Sequence, residues 1–562
     1  LVIYIPQMFY SPIVPANDSS NIQNFEESLL EDVGAPVPVV SKKTYDANGS
    51  ASKKNVNQIN ITNNLYTLVL SNLSGGSIQR FSLKEPSGGS LRHVGGYIDK
   101  DYDAISPTEF LNTDEPCAPC LGFVDSKTLH TFFVSMPFTP IEGFRRDVVL
   151  DSNQSFSIKS VYTFSNQTVG GAEYEGIKIT KETVFSGNSF EIEHIFFIEG
   201  ASELIQNPQI FWLAELNPTE KNISEDRQYS SAIINQGGTV THYTVGAALD
   251  DKLESSYLPG TTNWVAVRNK YFIASLIFNS PFDFARVEAE NSVFINDETF
   301  PVFRLSAGKN NNSNNALSCK MYIGPLDIDH IRKTNTNLED TMNFGWKILH
   351  PISKGILWIL KKAYLVLPNY GFILIGFALL VRFATGPLTR KSHESSKKMS
   401  EIQPALKKIQ TKYKNDSQKL NSEMMKLYKN SGVNPLGGCL PLLLQMPLLY
   451  SLFIVFRSTI EFRGEPFILW ITDLSKPDFV FSLPFSIPLY GNAVAILPIL
   501  MGITLVLTMQ MSANKMDPAQ KPIMYIMPIF FTLIFNTFPS GLNLYYTCYN
   551  ILNYMQQRSI HK

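Results

Sequence analysis

The sequence predicts an antiparallel all-β sandwich joined to a membrane α-helical bundle, and two patterns and one misplaced charge predict it. Up to about residue 335 the chain is polar, rich in Asn, Ser and Gly, and built of short runs in which apolar and polar residues alternate. A period of two is that of a half-buried strand. From about residue 340 the runs become long and apolar, interrupted by Pro and Gly, as helices in lipid are. The misplaced charge is Arg382, inside Tyr370 to Leu388, a stretch otherwise long and apolar enough to cross a bilayer. A chain of 562 residues is too long for one ordinary domain.

The elements follow in order. Leu1 to Tyr10 is apolar but short and interrupted, and reads as the end of a truncated N-terminal signal-anchor helix. Residues 11 to 60 are rich in Asn, Ser, Asp, Pro and Lys without periodicity, the composition of a flexible tether. A sandwich domain over residues 61 to 335 comes next. Within it, Leu65 to Leu70 and Ile78 to Leu83 are joined through Ser-Gly-Gly as a hairpin. After the Ser186-Gly187-Asn188 turn, Phe190, Ile192, His194, Phe196 and Ile198 alternate with Glu191 and Glu193. Short strands at such intervals make an antiparallel sandwich. His93, His130, His194 and His242 have no ligand spacing and are read as sheet or core residues. Of the 5 cysteines, Cys117-Ala-Pro-Cys120 alone has a suggestive spacing. No second pair follows, so a local disulfide and two unpaired thiols both remain open.

Residues 340 to 365 read as an amphipathic interfacial helix. Ile348, Ile352, Ile356, Ile359 and Leu360 lie on one side, Lys347, Lys354 and Lys361 on another, with Trp346 and Trp358 suited to the headgroup layer. The membrane domain, 366 to 562, then offers spans at Tyr370 to Leu388, Leu436 to Ile460, about Leu489 to Met511, Pro522 to Phe538 and Leu542 to about Met555.

Local charge orients these spans, since the net charge of -1 is uninformative. The segment 389 to 434 is strongly basic and belongs in the cytoplasm; the next loop, with Glu461, Glu465, Asp473 and Asp478, is acidic and belongs outside. The alternation puts the sandwich domain outside the cytoplasmic membrane. In the basic segment Met399, Ile402, Leu406, Ile409 and Tyr413 step by three and four, as do Leu420, Met424 and Leu427. Asn415-Asp416-Ser417 supplies a turn and an N-cap. The result is a helical hairpin whose Lys407, Lys408, Lys412 and Lys414 face solvent, RNA or anionic lipid alike.

At about 1.5 Å per residue, Arg382 lies roughly 18 Å into a core about 30 Å thick. It can snorkel to the far interface or serve as a buried functional charge. Asn536, Asn543 and Asn550 are amides within spans, which seek either partner helices or water.

Seven motifs resemble the YidC/Oxa/Alb family of membrane-protein insertases. They are Val381-Arg-Phe-Ala-Thr-Gly-Pro-Leu-Thr389, Glu423-Met-Met-Lys-Leu-Tyr-Lys429, Val433-Asn-Pro-Leu-Gly-Gly-Cys439, Leu444-Gln-Met-Pro447, Pro466-Phe-Ile-Leu-Trp-Ile-Thr-Asp-Leu-Ser475, Leu497-Pro-Ile-Leu-Met-Gly502 and Phe538-Pro-Ser-Gly-Leu-Asn-Leu-Tyr-Tyr546. The first half is similar through Ser74-Gly-Gly76, Trp264-Val-Ala-Val, Tyr271-Phe272 and Tyr322-Ile-Gly-Pro325. This implies the Gram-negative form with a large periplasmic domain, whose fold is similar to sugar-binding sandwiches. No sugar site is carried over, because no suitable carboxylate or histidine cluster is visible.

The resemblance implies a five-helix core around a hydrophilic groove, open to the cytoplasm and to lipid, through which client transmembrane segments reach the inner membrane. Arg382 is the matching groove arginine. Tyr546 and its neighbour Tyr545 line the client path, and Gln445 is a polar groove residue. No cofactor, metal or covalent step is implied. The implied partners are nascent membrane proteins, the Sec translocon, membrane lipid, and the ribosome and targeting factors through the hairpin, without nucleic-acid sequence preference. The chain departs from the pattern at Ala378, where some relatives carry threonine, and in its short tail. A small polar-solute transporter is the alternative, but it predicts repeated halves, and none is seen. An anchored carbohydrate enzyme needs paired carboxylates in the sandwich.

Overall fold

The computed structural model describes residues 57–85, 91–113, 117–126, 131–164, 168–169, 172–173, 176–200, 205–295, 298–310, 316–432, 440–488, 490–513 and 521–561. The anchor remnant, nearly all of the tether, His130 and the motif from Val433 to Cys439 lie outside the described residues. Between Met342 and Asn343 the chain divides into two compact units.

In the first unit the alternation read from sequence becomes burial. Strand Glu191–Glu199 turns Ile192, His194, Phe196 and Ile198 inward. A five-stranded sheet orders residues 147–149, 58–62, 66–71, 77–83 and 109–112. Its neighbours are antiparallel except Gln58–Thr62 and Asp147–Val149, which run parallel. A larger sheet of thirteen strands contains the long strands Lys252–Arg268 and Phe272–Ile295. The two sheets pack through aromatic rings. Phe110 stacks on Phe272 at 5.0 Å, and Tyr66 lies 6.3 Å from Phe190.

One buried lysine ties this unit together. The turn after Tyr66–Ser71 passes through Ser74, Gly75 and Gly76, all at positive φ. Position 75 requires glycine for a second reason, because a Cβ there would stand 2.9 Å from Lys181 Cδ. Lys181 is fully buried beneath the turn, and its Nζ donates to Gly76 O at 2.6 Å and Pro119 O at 2.8 Å. Cys117 and Cys120 form a disulfide, so the Lys181 amine joins the hairpin turn, the disulfide loop and strand Lys178–Ser186. Burial pulls Lys181 down to about 7. The histidines have local partners: His194 faces Thr183, His93 lies against Lys84 O, and His242 lies beside Ser231.

In the second unit we number seven described helices: α1 His350–Tyr364, α2 Tyr370–Lys412, α3 Ser417–Asn430, α4 Leu440–Ser458, α5 Ile496–Ala513, α6 Lys521–Phe535 and α7 Ser540–His561. Helix α1 buries Ser353, Ile356, Leu357 and Leu360. The apolar face expected there is split, because Lys347–Leu349 forms a tighter 3-10 turn and Ile348 points outward. Lys361 reaches Glu461, which has no exposed surface, at 3.0 Å.

Several boundaries differ from the sequence expectation: strand Gln58–Thr62 starts within the expected tether, α1 starts at His350 rather than near residue 340, and α7 runs on to His561. Residues 370 to 412 form one helix of 43 residues, about 65 Å long, where a break was expected near residue 389. The change from apolar to basic composition marks a change of surroundings and supplies no stop signal; Pro387 and Pro404 are carried inside the helix. Helix α5 begins at Ile496 rather than near Leu489, because Gly491–Ala495 pairs with Phe479–Ile487 as a β-hairpin. Among the described residues, Tyr370–Pro387 is the single stretch long and apolar enough for a full span, and Ile496–Gln510 and Tyr525–Phe535 are shorter apolar helices. At the far end of α2, Asp416 caps α3 by accepting from Lys419 N at 3.0 Å.

The Lys181 tie gives a pH prediction. Its folded pKa lies below the unfolded one, so between about 7 and 10.4 the unfolded chain binds the extra proton and stability rises with pH. Calorimetry of wild type and Lys181→Met should show the difference shifting in favour of wild type by about 2 kcal/mol between about pH 7 and about pH 9. A difference that does not move with pH would mean that Lys181 keeps its charge in the folded protein.

Candidate functional site

Helix α7 brings most of the candidate residues of the second unit together. Its sequence Leu542-Asn-Leu-Tyr-Tyr-Thr-Cys-Tyr-Asn550 distributes aromatic and amide side chains around the helix, because successive residues turn by about 100°. Tyr545 and Tyr549, four apart, share one face and stack with centroids 6.0 Å apart. This face meets α2: Phe377 lies 6.0 Å from Tyr545, and the Arg382 guanidinium carbon stands 5.7 Å from the centre of the Tyr549 ring. Arg382 is only 7% exposed. A cation over a ring face is attracted by the ring quadrupole, and more strongly where water is scarce.

Tyr546 points another way. Its ring meets Phe535 of α6 edge-on at 6.0 Å, and its hydroxyl faces the Gln445 side chain of α4. The structure therefore separates the adjacent tyrosines, one toward Arg382 and one toward Gln445. Asn550 is buried on the side of α5, where its backbone carbonyl accepts from Thr508 Oγ1 at 3.3 Å.

The other two amides are engaged with backbone. Asn543 Nδ2 donates to Phe535 O at 3.1 Å and Phe538 O at 3.3 Å, satisfying carbonyls at the end of α6. Asn536 donates to Tyr490 O at 2.7 Å and Ala493 O at 2.6 Å and accepts from Ala495 N at 3.0 Å. It holds the strand that leads into α5. Lys407, Lys408, Lys412 and Lys414 are exposed at the distal end of α2 and just beyond it. Lys412 lies thirty residues beyond Arg382, about 45 Å along the helix, so the lysines form a separate surface.

Sequence reasoning missed Tyr549, although its spacing of four from Tyr545 was the available signal. It also missed Asp478, whose Oδ2 accepts from Trp470 Nε1 at 2.9 Å and Leu497 N at 2.8 Å. No local pattern marks that role. Among the described residues no group of three or more His, Cys, Asp or Glu is placed to hold a metal ion.

Comparison with known proteins gives two family matches. The family described as 60Kd inner membrane protein matches residues 362–562, and the YidC periplasmic domain matches residues 159–359. A membrane protein insertase YidC from Chlorobium limicola is 33% identical over 570 residues, covering 99% of this chain and 92% of that protein. Another from Chlorobaculum tepidum is 33% identical over 534 residues, covering 92% of this chain and 85% of its own length. Among solved structures, an active YidC insertase with its first transmembrane domain resolved is 16% identical, with coverage of 90% and 92% and a TM-score of 0.35.

Asn536→Ala removes two donated bonds and one accepted bond at a site with no exposed surface. It is expected to lower thermal stability in micelles by roughly 2 kcal/mol and to speed hydrogen exchange at Ala495, since buried backbone groups lose their partners. Unchanged exchange at Ala495 would show that Asn536 does not hold this strand.

Proposed function

This chain belongs to the YidC family and is a membrane protein insertase, and from that premise we propose how its residues do the work. Helices α2, α4, α5, α6 and α7 form the membrane-spanning core, with the first unit in the periplasm and the α2–α3 hairpin in the cytoplasm. The supporting observation for the orientation is the basic hairpin against the acidic segment 461 to 478. A hydrophilic groove bounded by Arg382, Gln445, Tyr545, Tyr546 and Asn550 receives the client from the cytoplasm. Polar residues of the client's short translocated segment then pass partway through protein surroundings rather than bare hydrocarbon, while its apolar helix leaves sideways into lipid. No bond is made or broken in this process.

The observation that carries the reading is the burial of Arg382 on Tyr549 within an apolar stretch. A fixed positive charge in low dielectric attracts acidic residues of the client. Tyr545, Tyr546 and Tyr549 give the path amphipathic walls, apolar in the ring and polar at the tip. Asn536 and Asn543 support this path from behind, through the backbone bonds they make at the end of α6 and the start of α5. The hairpin lysines dock the ribosome or targeting factors by charge, without reading sequence. The Sec translocon and membrane lipid are the further partners proposed.

Arg382→Ala should reduce insertion of single-span clients with acidic outer segments by about tenfold, equivalent to ~1.4 kcal/mol, with Arg382→Lys intermediate. Protease protection of clients in proteoliposomes measures it, and equal insertion by Arg382→Ala and wild type would remove the electrostatic role while leaving the family assignment intact. Replacing Lys407, Lys408, Lys412 and Lys414 together with alanine should weaken ribosome co-sedimentation and flatten its dependence on salt, each lost phosphate contact lowering the slope by roughly 0.7 to 0.9. An unchanged slope would assign ribosome contact elsewhere.

A further inference from the structure

The β-hairpin of Phe479–Ile487 and Gly491–Ala495 has no part in the groove, and its surface is unusual. Its first strand is mostly apolar: Phe479, Val480, Phe481, Leu483, Phe485 and Ile487 are interrupted by Ser482, Pro484 and Ser486, and no residue of the strand is buried. Phe479 is 48% exposed, Phe481 56% and Phe485 61%. From Phe479 to Ala513 the sequence contains no Asp, Glu, Lys or Arg. Strand edges that face water normally carry charges to block edge-to-edge pairing, and a lone two-stranded hairpin is at best marginally stable in water.

The hairpin is nevertheless held firmly at its root. Asp478, immediately before the first strand, accepts from Trp470 Nε1 and from the first amides of α5, Ile496 N and Leu497 N. Asn536 holds Tyr490, Ala493 and Ala495 of the returning limb. The second strand runs into α5 without a linking residue, Ala495 being followed by the first helical residue, Ile496. With α5 read as a span, an element held at both limbs and continuous with its end stays at the membrane surface. Nearby, Leu469 is 82% exposed at a φ of 61°, a backbone conformation costly for leucine.

We infer that this hairpin is a lipid-seated element, with its phenylalanine-bearing strand inserted among the headgroups and upper acyl chains at the end of the bundle where α5 starts. The inference rests on the proposed reading of α4 and α5 as spans. Lipid is the occupant that fits, because aromatic side chains with serines and prolines between them suit the interface. A protein partner would be fixed in register by a polar or charged rim, and this strand pair has no charge to supply one. In the proposed topology the leaflet is the outer one.

The test uses the full chain with the cysteines outside the Cys117–Cys120 pair replaced by alanine, and an environment-sensitive nitrobenzoxadiazole probe on Phe485→Cys, Phe481→Cys or, as a hairpin-remote control, Ser417→Cys. Each is reconstituted in phosphatidylcholine vesicles with and without brominated acyl chains. The probes at 481 and 485 should emit at shorter wavelength than that at 417 and lose intensity in brominated lipid, where the control keeps it. Equal intensity in the two kinds of vesicle at both 481 and 485 overturns the inference. So does a short-wavelength emission that bromine does not quench, which would mean that protein covers the strand. Labelling of Asn492→Cys by an impermeant maleimide reports the side separately. Reaction in intact spheroplasts supports the outer leaflet; reaction only in inverted vesicles overturns the topology and moves the lipid contact to the other face.

Discussion

A guanidinium that is 7% exposed within an apolar helix has to be solvated by its own protein, and the helical unit is organised around that requirement. Placing Arg382 over Tyr549 fixes the rotation of α7 against α2. With that rotation set, Tyr545 meets Phe377, Tyr546 turns to Gln445 and Phe535, and Asn550 faces α5. One helix thus carries the polar groups that four neighbours need. In the function proposed for this chain such an arrangement has a purpose, because a path for polar segments must be hydrated or hydrogen-bonded somewhere along its depth and the bilayer offers neither.

The sandwich unit solves the same problem on a smaller scale. Lys181 has lost bulk water, and two backbone carbonyls replace it. Each carbonyl belongs to a different loop, so the two hydrogen bonds that offset part of the cost of burying the amine also join those loops. In the helical unit Asp478 and Asn536 play the corresponding part with carboxylate and amide. They organise the start of α5 and the hairpin before it, through backbone groups that an interface would otherwise leave unpaired.

Much of this was legible in the chain, for identifiable reasons. The inward set Ile192, His194, Phe196 and Ile198 follows from a period of two, and the Asp416 cap from an Asx residue before a periodic run. Arg382 was conspicuous as a charge among apolar residues. The amides were harder. Asn536, Asn543 and Asn550 look alike in sequence, yet two of them serve backbone carbonyls through their side chains. The continuity of α2 past residue 389 is not legible in the chain, because the composition changes there while the backbone does not. The strand Gly491–Ala495 is hard to read because it passes into α5 with no charged or linking residue between them.

What the sequence by itself determined is whatever neighbouring residues decide between them: the division into a strand-rich and a helix-rich unit, the basic hairpin and its turn, the family, and the oddity of Arg382. These are matters of period, composition and local capping. Tertiary structure decided which of two adjacent tyrosines meets the α2 face, what Asn536 holds, and where α5 begins. Those outcomes join residues far apart in the chain, 46 positions between Asn536 and Tyr490 and 105 between Lys181 and Gly76. A polar group's partner at that range is fixed by which elements pack together, and no run of consecutive residues encodes it.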